Sequence, residues 1–179
     1  GIVRLFLDAF GRIGVQITPY YIVMEGLFED LKPYLGTGFE AYDVGFLGHD
    51  DMQAIAAIPG RNISEVELIE RLENGNLCFG LKLNGDLGAF TWCHLAEYRG
   101  LGRIKPLAQD EAYLFDAYTL FPYRGKGIAP YIRYQLYKEL AKLGKHKLYS
   151  YSDAFNASSL NFKKKLNDKI KNTTFKLFH

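Results

Sequence analysis

Residues 112–143 read AYLFDAYTLFPYRGKGIAPYIRYQLYKELAKL. From about Ala112 to Leu120 the stretch is apolar and aromatic apart from Asp116, the composition of a strand. Phe121-Pro122-Tyr123-Arg124-Gly125-Lys126-Gly127 follows as a turn. A helix then runs to Leu143, with Ile132, Leu136, Leu140 and Leu143 as its buried stripe and Pro130 in its first turn, where proline is tolerated. Gly144 is its C-terminal stop. This order leaves backbone N–H groups unpaired at a helix N-terminus, where the dipole adds partial positive charge, and so suits a phosphate.

Spacing narrows the choice of phosphate. A Walker loop needs Gly-x-x-x-x-Gly-Lys-Ser/Thr, but Lys126 is followed by Gly127 and no glycine stands five before Gly125, which disfavours a nucleoside-triphosphatase. A dinucleotide fingerprint would put Pro130 at the third glycine, and no leading βαβ half surrounds it. The pattern that fits is Arg-x-x-Gly-x-Ala, as Arg124, Gly127 and Ala129.

Working outward, two apolar runs, Leu77 to Leu83 and Leu87 to Leu95, flank Asn84-Gly85-Asp86 and predict an antiparallel hairpin. Before it, Phe39 to Leu47 reads as a strand. Asp50 with Gln53 opens a helix over Met52 to Ile58, and Ser64 with Glu67 opens a second through Leu72. Residues 96–110 read as a loop. After the long helix, Lys147 to Ser152 alternates as a strand, residues 156–166 form a short helix, and Thr173 to Phe178 has strand composition. At the other end, Ile2, Leu5, Phe6, Ala9, Phe10 and Ile13 predict an amphipathic helix over 2–13, stopped by Gly14 and Pro19.

With these motifs the sequence resembles the GNAT superfamily of N-acetyltransferases, whose pyrophosphate-binding signature is Gln/Arg-x-x-Gly-x-Gly/Ala. The hairpin Leu81 to Phe90 is similar to the family's second and third strands. Asn156-Ala157-Ser158-Ser159 resembles the Asn-x-x-Ser segment of its fourth helix. The resemblance covers residues 40–179 and implies an α/β (α+β) fold: a mixed, mostly antiparallel sheet splayed at the centre, with helices on both faces. Residues 1–39 are then expected to be a helical extension packed on that domain.

The resemblance also implies a site. Backbone amides of Gly125, Lys126, Gly127, Ile128 and Ala129, next to Arg124, would cradle the pyrophosphate of acetyl-CoA as co-substrate. Thr119, Leu120 and Phe121 would pair with the pantetheine arm, and an amide there would polarise the thioester carbonyl. Asn156 and Ser159 would hold the arm from the next helix. The implied activity is transfer of an acyl group, acetyl foremost, to an amine by direct attack; the alternative is a silent acyl-CoA-binding regulatory or interaction domain. The attacking amine must be neutral, so a base is expected. Glu111 and Asp116 are the candidates, with Asp116 equally readable as a hydrogen-bonded structural residue, and Tyr118 is placed on the same face as a proton relay. Many members place a Tyr seven residues after the Asn to protonate the departing thiolate; here Lys163 stands there.

Other features carry plainer readings. Cys93-His94 lacks a second Cys–His cluster and reads as buried strand residues, so no metal is expected. His49 reads as part of a helix start. Lys163-Lys164-Lys165 reads as a solvated face or a contact to the 3′-phosphate of CoA. Phe90, Trp92, Tyr98, Tyr113, Phe115 and Phe121 read as core or as an acceptor pocket.

The 179 residues are 48% hydrophobic and 23% charged with a formal net charge of +2, which favours one folded domain over a disordered chain. No apolar run reaches the roughly 18–20 residues of a spanning helix. No secretory signal pattern is present, and two cysteines are too few for a disulfide scaffold, so a cytoplasmic protein is expected. The charge is divided: residues 1–123 hold nine Lys/Arg against 17 Asp/Glu, and residues 124–179 hold 13 against three. The basic part therefore begins at the first residue of the phosphate signature. A nucleic-acid surface is disfavoured, because the positive residues spread over two helices and a turn without a recognised module. The expected partner is a small-molecule or peptide amine, the expected state a monomer or homodimer, and no membrane partner is expected.

Overall fold

The computed structural model describes residues 16–27, 38–100, 103–166 and 169–178. The expected hairpin forms from β3 (Asn76–Leu83) and β4 (Asp86–His94), with Asn84 at φ 53° and Gly85 at φ 89°, the two positive values of a tight two-residue turn. Strand β7 (Glu111–Thr119) pairs antiparallel with β4 on one side. On its other side it pairs parallel with β8 (Lys147–Asp153) through the crossover helix α3 (Ile128–Lys142). Adding β1 (Gln16–Glu25), β2 (Asp43–Leu47) and β9 (Lys169–Phe178) gives a seven-stranded sheet in the order β2-β3-β4-β7-β8-β1-β9. All its pairs except β7 with β8 are antiparallel, so the mixed α/β fold with a mostly antiparallel sheet is what the chain adopts.

Both faces are covered. On one, Leu81, Ala89, Cys93, Ala112, Leu114 and Leu148 pack beneath Ile128, Ile132, Leu136 and Leu140 of α3, beside Phe162 of the short helix α4 (Ala157–Lys165). On the other, Cys78, Phe90 and Trp92 pack against Met52 and Ile55 of α1 (Met52–Ala56) and Leu68 of α2 (Glu65–Glu73). The stop at Gly144 forms as expected, at φ +75°. So does the capping box on α2: Glu67 N–H donates to Ser64 Oγ at 3.2 Å and Ser64 N–H donates to Glu67 Oε2 at 2.8 Å.

Several expectations need correction. The strand expected from Phe39 is β2 and begins at Asp43, because Tyr42 N–H closes a turn onto Phe39 O, freeing the Phe39 ring to stack on Tyr131 at 4.1 Å. In place of the Asp50–Gln53 pairing, Asp51 Oδ2 accepts from Gly48 N–H at 2.9 Å, which caps the 3-10 turn leading into α1. His49 does lie at a helix start, in the 3-10 turn His49–Asp51 that leads into α1. The stretch 96–110 is not only loop: β5 (Glu97–Gly100) and β6 (Arg103–Pro106) pair within it. Pro19 sits in β1, opposite Phe175. The helix expected over 2–13 lies outside the described residues. The tail strand starts earlier than expected, at Lys169, and pairs with β1.

Candidate active site

Strands β7 and β8 pair only from Glu111–Lys147 to Leu114–Ser150 and then part. At the same point β7 bulges: Trp92 faces Phe115 while Phe90 faces Tyr118, so two residues of β7, Asp116 and Ala117, span one of β4, Thr91. Asp116 takes up the extra length at φ +45°. The parted strands open a cavity of about 670 Å³. It is bordered by β7 from Leu114 to Thr119, by Tyr151 to Asp153 of β8, by the start of α3 and by α4.

At one end lies the glycine turn. Gly125 and Gly127 are both at φ +77°, a conformation that favours glycine, and Gly127 caps α3. The first helical bond runs from Tyr131 N–H to Gly127 O. The N–H groups of Gly125, Lys126, Gly127, Ile128 and Ala129 donate to no other group among the described residues. Four of these five residues, all but Lys126, border the cavity. Lys126 instead sets its ammonium 5.7 Å from the Tyr123 ring. Arg124 borders the cavity too, its Nε donating to Thr119 O at 2.9 Å and its guanidinium lying 5.3 Å from the Tyr118 ring.

The remaining predicted residues divide. Thr119 borders the cavity, whereas Leu120 and Phe121 do not. Leu120 N–H is used by Gly88 O at 3.0 Å, and Phe121 is 81% exposed. Asn156 and Ser159 both reach the cavity. Asn156 Oδ1 caps α4 by accepting from Ser159 N–H at 2.9 Å, and Ser159 Oγ lies 3.0 Å from Ser152 Oγ. Glu111 does not reach it: it sits at the closed end of the β7–β8 pair, and its Oε2 accepts from Ala108 N–H at 3.0 Å.

Asp116 does border the cavity, but both carboxylate oxygens are engaged. Arg61 grips it through two bonds of 3.0 and 2.7 Å, and Arg71 donates at 2.9 Å. With three guanidinium N–H bonds tying it to two other segments of the chain, this geometry makes it an anchor. Tyr118 borders the cavity on the same side, its ring 6.0 Å from Phe90 and 5.5 Å from the Arg61 guanidinium. Cys93 is buried, and His94 Nδ1 accepts from the N–H groups of Ala96 and Glu97, as structural strand residues do. Trp92 and Phe90 are core, while Tyr98 stacks on Tyr151 and Tyr113 meets both rings edge-on. Among the described residues no group of three or more His, Cys, Asp and Glu could hold a metal ion. Nor is any described helix long and apolar enough to cross a membrane.

Sequence reasoning missed a buried ionic cluster at the apex where the strands part. Glu25 of β1 is fully buried and accepts from Tyr137 Oη at 2.6 Å and from Ser150 Oγ. Arg133 Nε lies 3.3 Å and Lys163 Nζ 3.1 Å from its two oxygens. Lys163 also donates to Ser150 Oγ and, at 2.7 Å, to Ser152 Oγ. Burial pushes the Glu25 carboxyl up, but the charges of Arg133 and Lys163, with hydrogen bonds from Ser150 and Tyr137, more than reverse this and hold it down at about 2. Lys163, on the helix face read as solvated, is only 4% exposed. Arg133 was the one legible signal, a charge one position past Ile132 on the helix face that also carries Leu136, Tyr137 and Leu140.

No family sequence model and no curated protein matches the chain. Solved structures do. A GNAT-family protein from Novosphingobium aromaticivorans is 18% identical with a TM-score of 0.58, over 90% of this chain and 65% of its own. A GCN5-related N-acetyltransferase from Sphaerobacter thermophilus is 13% identical with a TM-score of 0.64, over 96% of this chain and 54% of its own. The ribosomal-protein-S18-alanine N-acetyltransferase from Escherichia coli is 23% identical with a TM-score of 0.56, over 70% of this chain and 76% of its own. The chain thus spans less than two thirds of the length of the first two proteins. At these identities the likeness is one of architecture, and it agrees with the parted parallel pair and the glycine turn just described: the chain has the GNAT superfamily fold.

Proposed function

We propose that the protein is an acyl-CoA-dependent N-acyltransferase, with acetyl-CoA as co-substrate and an amine as acceptor. The observation that carries this reading is the row of unengaged amides from Gly125 to Ala129, at the N-terminus of α3, opening onto the cavity between the parted strands. Such a cradle fits a pyrophosphate. The bared edges of β7 and β8 fit an arm with amide groups of its own, since unpaired strand N–H and C=O groups seek partners. Arg124 adds positive charge at the mouth, and the side-chain amide of Asn156 and the hydroxyl of Ser159 border the arm's path.

When bound, acetyl-CoA supplies a thioester carbonyl for a neutral amine to attack. The chain's own groups orient the two reactants and keep the anchoring strand rigid: Asp116 ties β7 to Arg61 and to Arg71 of α2, fixing the bulge that opens the cavity. Tyr118, on that same side, is the hydroxyl we assign to meeting the amine. Its proton passes to solvent. The cytoplasm is the compartment that supplies such a co-substrate.

Isothermal titration with CoA and acetyl-CoA tests the binding half, and thiol release over a panel of small amines and peptide N-termini tests the transfer half. Saturable binding with release on at least one amine is expected. Binding without release on any amine would favour the silent acyl-CoA-binding alternative, and absence of binding would refute both.

A further inference from the structure

Two residues that border the cavity, Thr91 of β4 and Arg133 of α3, each carry a buried polar atom that has no hydrogen-bond partner among the described residues. The atoms are Thr91 Oγ1 and Arg133 Nη1, and the residues are 1% and 3% exposed. A buried polar group left unpaired costs stability, and folded proteins pair nearly all of theirs. Two such atoms on one cavity therefore point to a group that the cavity receives. Neither serves the glycine turn, the Asn156 cap or the Asp116 anchor.

Their place along the strands is fixed by register. Thr91 alternates with Ala89 and Cys93, which pack beneath α3, so it lies on that same face of β4, opposite the bulge pair Asp116 and Ala117. Arg133 is located by Cys93: burial pushes that thiol up to about 12, and the guanidinium charge works against the rise. Cys93 faces Leu114, and Leu114 faces Ser150 in the last pair before the strands part. Arg133 thus stands near the apex, and Thr91 two residues, about 7 Å, toward the open end. From the level of Thr119 to that of Leu114, β7 runs about 16 Å at about 3.3 Å per residue. An extended pantetheine arm held at the glycine turn has that reach, which brings the acyl group to the level of these two residues.

We infer that Thr91 and Arg133 select the acyl group, so that the cavity takes a short acyl chain bearing a neutral oxygen, a hydroxyl or keto group, in preference to acetyl. This inference rests on the proposed acyl transfer and narrows its donor. The methyl of an acetyl group offers neither atom a bond. Arg133 Nη1 donates and needs an oxygen that accepts, while Thr91 Oγ1 both donates and accepts. The oxygen is a neutral one because Glu25, paired with Arg133, and Asp153, on the same cavity, disfavour a further carboxylate. In the transfer the amine nitrogen bonds to the acyl carbon, and the C–S bond breaks with its electron pair remaining on sulfur. Solvent takes the proton from nitrogen and supplies one to sulfur, and the oxygen on the acyl chain is unchanged.

Calorimetry on the unaltered protein with acetyl-, butyryl-, β-hydroxybutyryl- and succinyl-CoA tests this without turnover. The butyryl and β-hydroxybutyryl chains differ only in the oxygen, and a site built to bond a substrate hydroxyl rejects the analogue that lacks it. β-Hydroxybutyryl-CoA is expected to bind about tenfold or more tighter than butyryl-CoA, and tighter than acetyl- or succinyl-CoA. Thr91→Val, which keeps the side-chain shape and removes the hydroxyl, is expected to narrow the difference between the first pair about threefold or more. Should that variant fold poorly, the four ligands on the unaltered protein decide. Equal affinities for butyryl- and β-hydroxybutyryl-CoA, as water on the two atoms would give, overturn the inference and leave the proposed function standing. So does tightest binding of succinyl-CoA, or a difference that Thr91→Val leaves untouched. If none of the thioesters binds, both fall.

Discussion

Gly127 and Gly144 have nearly the same backbone, φ +77° and +75°, at opposite ends of α3. A Cβ at Gly127 would meet only Phe39 at 3.5 Å, and at Gly144 nothing lies within 4 Å. Alanine at either position therefore brings about the same strain, roughly 1–2 kcal/mol for an L residue in the left-handed region. Each variant should lose a few degrees of Tm, at about 2–4 °C per kcal/mol for a chain of this size. Only Gly127 aims amides at the cavity. Gly127→Ala should weaken CoA binding about tenfold or more, as the turn relaxes away from the conformation that gathers its N–H groups, while Gly144→Ala should bind CoA as before. Equal affinities in the two variants, read by calorimetry, would remove the glycine turn from the binding site. Residue by residue, this turn was legible because a phosphate cradle is written in a contiguous run. The ionic cluster was not, because Glu25, Arg133 and Lys163 come from three distant segments and only the fold joins them.

Among the elements, those with strong local signals came through: the Asn-Gly hairpin, the long helix with its proline in the first turn, and α2 behind its capping box. The strands that local pattern concealed are β1, with Pro19 and two tyrosines in place of clean alternation, and the β5–β6 pair among glycines and arginines. In these the partner strand decides, as tertiary context commonly does for strand propensity. Helix α2 depends more on its own ends. Ser64→Ala removes the acceptor for Glu67 N–H and should cost about 1 kcal/mol. A urea midpoint lowered at unchanged m value is the expected signature. Since α2 carries Arg71 to Asp116, replacing Arg71 in the Ser64→Ala background should show a coupling beyond the sum of the single changes, as expected for groups in one network.

Across the whole molecule, β1 is what makes the apex cluster possible. It lies between β8 and β9, with Val23 opposite Ser150 and Glu25 opposite Leu148, so the N-terminal part of the chain supplies the buried anion beneath α3. That anion links the fold to pH. The Glu25 carboxyl has an ordinary value of 4.5 and is held at about 2 in the folded protein, chiefly because the two cations outweigh its burial. A carboxyl depressed by folding stabilises the folded state fully above its unfolded value and loses that contribution as pH falls toward its folded value. The window is therefore about pH 4.5 down to 2, and the contribution at neutral pH is on the order of 3 kcal/mol from a depression of about this size. Glu67 and Asp110 are shifted in the same direction and would blur the total acid response. Comparison with Glu25→Gln isolates the one group. At pH 7 the variant should be less stable by about 3–5 kcal/mol, the cost of leaving buried cations without their partner. As pH falls through the window, the unaltered protein should lose stability faster than the variant, and the gap between their urea midpoints should narrow. A gap that stays constant from pH 7 to 3 would mean that Glu25 is not held ionised by Arg133 and Lys163.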